Sequence, residues 1–372
     1  MKILKGNLVS APALGKLEIV EHGCLVLHDD GSIQSVEKAV PQSADAEVID
    51  YGDSLIMPSF VDMHLHAPQY PMLGMGMDLP LIDWLNTYTF PEESKYEDLS
   101  YAETAYESFV SRLTRSTTTR ACIFATLHLP ATLLLMQKLE DAGLSTYVGK
   151  VNMNRNCPGY LREISTNQAI RDTERWVMQS RERFSHTKPI LTPRFIPSCT
   201  DDFMYALSRL RAKYDLPVQS HLSENLGEIE WVKELCPRSK FYGDAYDQFG
   251  MFGGTYPCIM AHCVHSNDAE QELMLRRGVY IAHSPESNMN LASGVAPVSQ
   301  FIDRGLHVGL ATDVAGGSHE SLLRAMMHAI QASKLRWRLL DQSVKPLSFE
   351  RAFYLATMGG GQFFGKVGSF LD

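Results

Sequence analysis

Thirteen histidines occur in this 372-residue chain, and two of them, His64 and His66, fall in a short apolar stretch, Phe60-Val61-Asp62-Met63-His64-Leu65-His66. Strand side chains alternate with a period of two. The pattern therefore predicts Val61, Met63 and Leu65 on one face and Asp62, His64 and His66 on the other. Two neutral imidazoles one pleat apart can hold a single divalent metal, and imidazole suits zinc, iron, nickel or copper. A strand that simply carries two histidines fits the same two-residue pattern, so the remaining residues must decide.

Several other residues could do chemistry: Arg194 followed by Phe195, His221 with Glu224 just beyond it, His262, His283, and Asp313. Their positions in the chain are not scattered. Apolar, β-branched-rich runs at 60–66, 117–127, 146–153, 190–197, 218–221, 258–262, 279–284 and 307–312 are each followed by a more polar segment with helical character. Eight strands alternating with helices predict βαβ units that close into a (β/α)8 barrel, in which chemistry sits at the C-terminal ends of the strands. The candidates lie at those ends and would converge on one rim. Helices are predicted over 133–142 and 268–277 from three-and-four spacing, the first stopped by Gly143. Residues 1–57 read as short strands, including 16–20, 24–27 and 33–36, with a turn at Asp29-Asp30-Gly31, and predict a small all-β unit.

Composition narrows the function classes. A net charge of −9 and a pI near 5.8 argue against nucleic acid, and no basic run is present. No apolar run approaches the length of a membrane span, and the first residues lack the apolar core of a signal peptide, so a cytoplasmic protein is expected. Seven cysteines without a C-x-x-C spacing suggest neither a disulfide framework nor a thiolate metal site.

Pro58 with Phe60-Val61-Asp62, the His64/His66 pair, His221 with Glu224, Ala261-His262, Ala282-His283-Ser284-Pro285 and Thr312-Asp313 together resemble the metal-dependent amidohydrolase superfamily, in its aminohydrolase branch. Gln69 after the histidine pair, Asp83-Trp84-Leu85, residues 88–91, Arg194-Phe195-Ile196-Pro197, residues 220–225, Ser287-Asn288 and residues 312–317 are similar to the guanine deaminase family within that branch.

The resemblance implies an α/β fold: a (β/α)8 TIM-type barrel over 58–345, and a small β-sandwich built from 1–57 and 346–372 and incomplete at its C-terminus. It implies one zinc per chain on His64, His66, His221 and Asp313. Glu224, Asp313 and His262 would act in catalysis, and Gln69, Arg194, Phe195, Trp84 and His262 would contact the substrate. The implied reaction is hydrolysis of guanine to xanthine and ammonia, in a homodimer. Asp62 is read as an orienting residue and His283 as structural. No lysine in 190–197 could bridge a second metal, which leaves Lys150 as the nearest alternative. Another aminohydrolase of the branch, acting on a different purine, a pterin or a triazine, keeps the same metal residues; a metal-free scaffold is the third reading.

Overall fold

The computed structural model describes residues 1–41, 46–365 and 367–370. Gly15, at φ +71°, supplies the left-handed turn that folds β1 (Lys2–Ala13) back antiparallel on β2 (Lys16–Leu27). β3 (Ile33–Glu37) and β4 (Glu47–Ile56) complete a four-stranded sheet of order β3-β2-β1-β4, with β1 and β4 parallel. The two strands expected at 16–20 and 24–27 are one strand that runs through His22 (φ 51°) and absorbs a register shift opposite Gly6 and Leu8. Among the described residues these four strands form one sheet, and a sandwich is not shown.

The rest of the chain alternates parallel strands with helices. β5 (Phe60–His66), β6 (Thr118–Phe124), β7 (Ser145–Gly149) and β9 (Thr187–Pro189) form one parallel sheet, and the short β8 (Val151–Asn152) and β10 (Thr192–Pro193) pair separately. β11 (Val218–Leu222), β12 (Cys258–His262), β13 (Tyr280–His283) and β14 (His307–Leu310) form another. Backbone hydrogen bonds join these sheets on both sides: Gln219 N–H to the Leu191 carbonyl (2.9 Å), and Asp313 N–H to the His64 carbonyl (2.9 Å) with His66 N–H to the Val314 carbonyl (2.8 Å). Of the run expected over 190–197 only β10 is a strand, and β9 lies just before it. Pro189, Pro193 and Pro197 each lack an N–H, and Ile196–Ser198 turns as a 3-10 helix.

The strand of the two histidines departs from simple alternation. Asp62 pairs with Ala121 and Leu65 with Ile123, so three steps along β5 oppose two along β6, which defines a bulge. Val61 and Met63 consequently join a core cluster with Cys122, Ile190, Ile259 and Ala261, whereas Leu65 packs with Phe60 in the larger core against the helices. The helix expected over 133–142 begins earlier, as Leu129–Asp141, because Pro130 is accommodated in a first turn. The second runs Asp268–Arg277 as expected, capped by Asn267 and stopped by Gly278 at φ +63°.

Residues 346–372, expected to complete the small sheet domain, contain helical turns at Phe349–Tyr354, Leu355–Gly359 and Gln362–Phe364 and no strand among their described residues. Phe363 caps the inner cluster, and Phe370 packs on Leu8 and Leu25 of the N-terminal sheet. The close approach needs glycine: a Cβ on Gly309 would lie 2.6 Å from Met63 Cγ and 2.9 Å from Gly360 Cα. Gly309→Ala is therefore expected to destabilise the protein by about 1–3 kcal/mol. Denaturant unfolding checks this; an unchanged midpoint would mean that the interior can yield there.

Candidate active site

The bulge in β5 aims His64 and His66 to the end of the strand, where His221 from β11, His262 from β12 and Asp313 beyond β14 meet them. His262 (φ 71°) and Asp313 (φ 49°) are in the left-handed region, a strained setting that surrounding structure must impose. His64 Nε2 is 3.1 Å and His66 Nε2 3.5 Å from Asp313 Oδ1, and His66 Nε2 is 3.2 Å from His221 Nε2. His262 Nε2 lies 3.4 Å from Glu224 and 3.8 Å from Asp313 Oδ2. All six side chains are buried or nearly so. Phe124, at the end of β6, packs its ring 4.7–4.9 Å from His64, His66 and His221 and forms the floor beneath them.

The donors suit a metal. His64 Nε2 is buried and faces Asp313 Oδ1. His221 Nδ1 donates to the Arg194 carbonyl at 2.6 Å, which turns the bare Nε2 toward His66. Burial pushes His64, His66 and His221 below the ordinary histidine value, which favours the neutral form that a metal ligand needs. Burial works against ionisation of Asp313, but the imidazoles of His64, His262 and His66 overcome it and hold its carboxyl well below the usual range. Two overlapping groups of possible ligands result: His64, His221 and His262, and His64, His66 and Asp313. The four ligands expected from the sequence are thus brought together, and His262 stands close enough to join them. Asp62 stays outside. Its carboxyl accepts from Thr312 Oγ1 (2.5 Å), Thr312 N–H (3.1 Å) and His64 N–H (3.2 Å). Lys150 is also elsewhere, its ammonium paired with buried Glu163.

One cavity opens over this cluster, and Gln69, Trp84, Arg194, Phe195 and Glu224 all line it. Trp84 is fixed by donating Nε1–H to the Met75 carbonyl at 2.9 Å. Burial raises Glu224 to about 7, assisted by Glu228 and Asp313 and opposed by His262. Glu228 accepts from the Glu224 N–H (3.2 Å) and from Tyr242 Oη (2.7 Å), so it anchors the loop that carries Glu224. Asn288 Oδ1 lies 2.9 Å from His262 Nδ1. His283 is buried with neither ring nitrogen partnered, and burial lowers it to about 3, which keeps it neutral.

Sequence reasoning missed Glu93, Phe124 and Glu228. Glu93 is the most consequential: it pairs with Arg194 at 2.7 Å and accepts from Gln69 at 2.8 Å, across 101 and 24 residues. An i,i+4 spacing was the available signal for Glu228 after Glu224. Neither Glu93 nor Phe124 has such a local signal.

A parallel-stranded α/β chain with a histidine and carboxylate cluster at its strand ends is the setting of a metal-assisted hydrolase. The amidohydrolase family profile matches residues 55–371, and the chain belongs to that family. It is 38% identical to guanine deaminase of Dictyostelium discoideum, covering 100% of this chain and 86% of that protein, and 37% identical to that of Rattus norvegicus, covering 99% and 83%. Among solved structures it is similar to guanine deaminase from C. acetobutylicum with bound guanine in the active site, at 44% identity and a TM-score of 0.96 over 100% of this chain and 88% of that one. E. coli guanine deaminase follows the same fold at 30% identity and a TM-score of 0.90, covering 100% and 87%.

Because Phe124 packs against three of the imidazoles, Phe124→Ala should cost about 3–5 kcal/mol and loosen the cluster. The check is denaturant unfolding beside metal content by elemental analysis. Full stability with full metal content would remove Phe124 from this role.

Proposed function

We propose that this chain is a zinc-dependent guanine aminohydrolase that converts guanine and water to xanthine and ammonia. The observation that carries this reading is one cavity lined by two chemically distinct sets of side chains. Imidazoles, Asp313 and Glu224 make up one set, and Gln69, Arg194 and Phe195 the other. The guanine deaminases it resembles, one of them with guanine bound, support the choice of substrate.

One zinc per chain would be held by His64, His66, His221 and Asp313. When bound it supplies activation of the attacking water. Asp313 takes a proton from that water, which adds to C2 of the purine. Glu224 delivers its proton to N3, regains one from the C2 hydroxyl as the carbonyl forms and passes it to the exocyclic amine, which leaves C2 as ammonia; the proton held by Asp313 then returns to Glu224. His262, held at Nδ1 by Asn288, orients the water through Nε2. Arg194 offers donors to O6 and N7, a geometry a planar guanidinium suits. Gln69 pairs with another edge, Phe195 packs on the ring, and Trp84 closes the cavity. Closure of the parallel strands over 58–345 into a (β/α)8 barrel belongs to the same reading. The hydrogen bonds joining the sheets at Leu191 and at His64 and His66 support it. Residues 1–57 then form a separate small sheet domain to which Phe370 attaches. Among the described residues no helix is long and apolar enough to cross a membrane. A cytoplasmic location and a homodimer rest on the family resemblance.

Zinc-loaded protein should contain one metal per chain, and Glu224→Gln should keep that metal while lowering guanine turnover by roughly 10² to 10⁴-fold. Two metals per chain, or a Glu224→Gln variant with near-normal turnover, would overturn those assignments. Ammonia release from guanine but not adenine tests the substrate. Adenine places an amine where Arg194 needs an acceptor and has none at C2. Arg194→Ala should cost several kcal/mol in kcat/KM for guanine, on the order of what an unpaired buried polar edge loses, and Arg194→Lys should not restore it. Adenine turnover equal to guanine would favour a broader aminohydrolase.

A further inference from the structure

Both side chains proposed to read the purine converge on one carboxylate. Gln69 follows β5, Arg194 follows β10, and Glu93 lies in the helix Phe90–Ser94, which the chain reaches between them. Glu93 Oε1 accepts from Gln69 Nε2 at 2.8 Å and from Arg194 Nη1 at 3.0 Å, and Oε2 accepts from the same Nη1 at 2.7 Å. The three side chains are 1–3% exposed. The same helix also places the Phe90 ring 5.2 Å from the guanidinium.

This arrangement leaves each reading group one usable orientation. Gln69 Oε1 accepts from the Ala315 N–H at 3.3 Å while its amide nitrogen donates to Glu93. Flipping the amide would set an NH2 against an N–H and an oxygen against a carboxylate, two repulsive pairings. Arg194 spends Nη1 on Glu93, so its Nε and Nη2 are left for a ligand. The pair is also electrically neutral, which suits an uncharged purine; a lone buried guanidinium would be costly.

We propose that Glu93 is the positioning residue that fixes Gln69 and Arg194 together and so sets the pocket's preference for a 6-oxo purine. This rests on the guanine reading above, and the test separates the two. Guanine and 2-aminopurine share the C2 amine, but only guanine has O6. Wild-type, Glu93→Gln and Glu93→Asp proteins are loaded with zinc, checked for metal content and melting temperature, and assayed on both purines. Gln at position 93 turns an NH2 toward Gln69 or Arg194; Asp keeps the charge but withdraws the oxygens by one methylene. The ratio of kcat/KM for guanine over 2-aminopurine should fall at least tenfold in Glu93→Gln and at least threefold in Glu93→Asp. The loss should lie mainly in KM for guanine. If Glu93→Gln does not fold, the Asp variant decides. A ratio within twofold of wild type in a folded, zinc-loaded variant overturns the proposal whatever its total activity, because a merely structural role lowers both substrates alike. A wild-type protein that leaves guanine untouched overturns the functional reading itself, and the positioning role with it.

Discussion

The site depends on the seam between β5 and the end of β14. Asp62 ties that seam from one side chain, accepting from Thr312 twice and from the His64 N–H, while the backbones exchange bonds at His64, Asp313, His66 and Val314. Burial pushes the Asp62 carboxyl up to about 7 despite those donors, so the group is held by geometry more than by charge. Residues at opposite ends of a 250-residue span are thereby set within 3.1 Å, His64 Nε2 to Asp313 Oδ1. The bulge in β5 serves the same end: a regular strand would have sent Met63 and Leu65 to one face and both histidines to the other, away from the shared inner cluster.

Arg194 connects this centre to the substrate wall. Its carbonyl receives the His221 Nδ1–H, and its guanidinium meets Glu93. A shift of that backbone would turn a proposed ligand and a proposed reading group at once. The break between β9 and β10 is therefore useful: without a continuous ladder through 190–197, the chain can present both the carbonyl and the side chain of one residue to the mouth of the cavity. Ser223, His262, Cys263 and Asp313, all at positive φ, are four more places where ordinary backbone geometry gives way near the site, at a cost of order 1–3 kcal/mol each. The large buried core around them supplies what holds them there.

Much of this was legible because its signals are short in range. The histidine pair, the strand ends at His221 and His262, Asp313, and the helix Asp268–Arg277 with its Asn267 cap and Gly278 stop all follow from spacing within a few residues. The misses share a different physics. The β5 bulge depends on which residues of β6 oppose it, and alternation alone cannot reveal a neighbour's register. Glu93 sits in a five-residue helix with no local signal for burial, and its partners Gln69 and Arg194 lie 24 and 101 residues away. Proline positions did carry the signal for the β9 break, since Pro189, Pro193 and Pro197 each remove a donor. Where a sheet was expected, the described C-terminal residues form helical turns that set Phe363 in the inner cluster and Gly360 against Val61 and Met63.

The electrostatics also divides two carboxylates that share one cavity. Asp313 stands among imidazoles and is held well below the usual range, whereas burial dominates at Glu224 and lifts it to about 7. Near neutral pH one is therefore ionised while the other exchanges a proton readily, which is the separation that acid and base roles require. His262 lies between them. Burial lowers it, but Glu224 and Asp313 outweigh that and raise it, so it is coupled to both. The division follows from environment alone: Asp313 has His64 at 3.1 Å, while Glu224 has Ser293 at 3.2 Å and the carboxyl of Glu228 close by. The proposed proton shuttle and the proposed metal ligand are thus distinguished by what the fold packs against each.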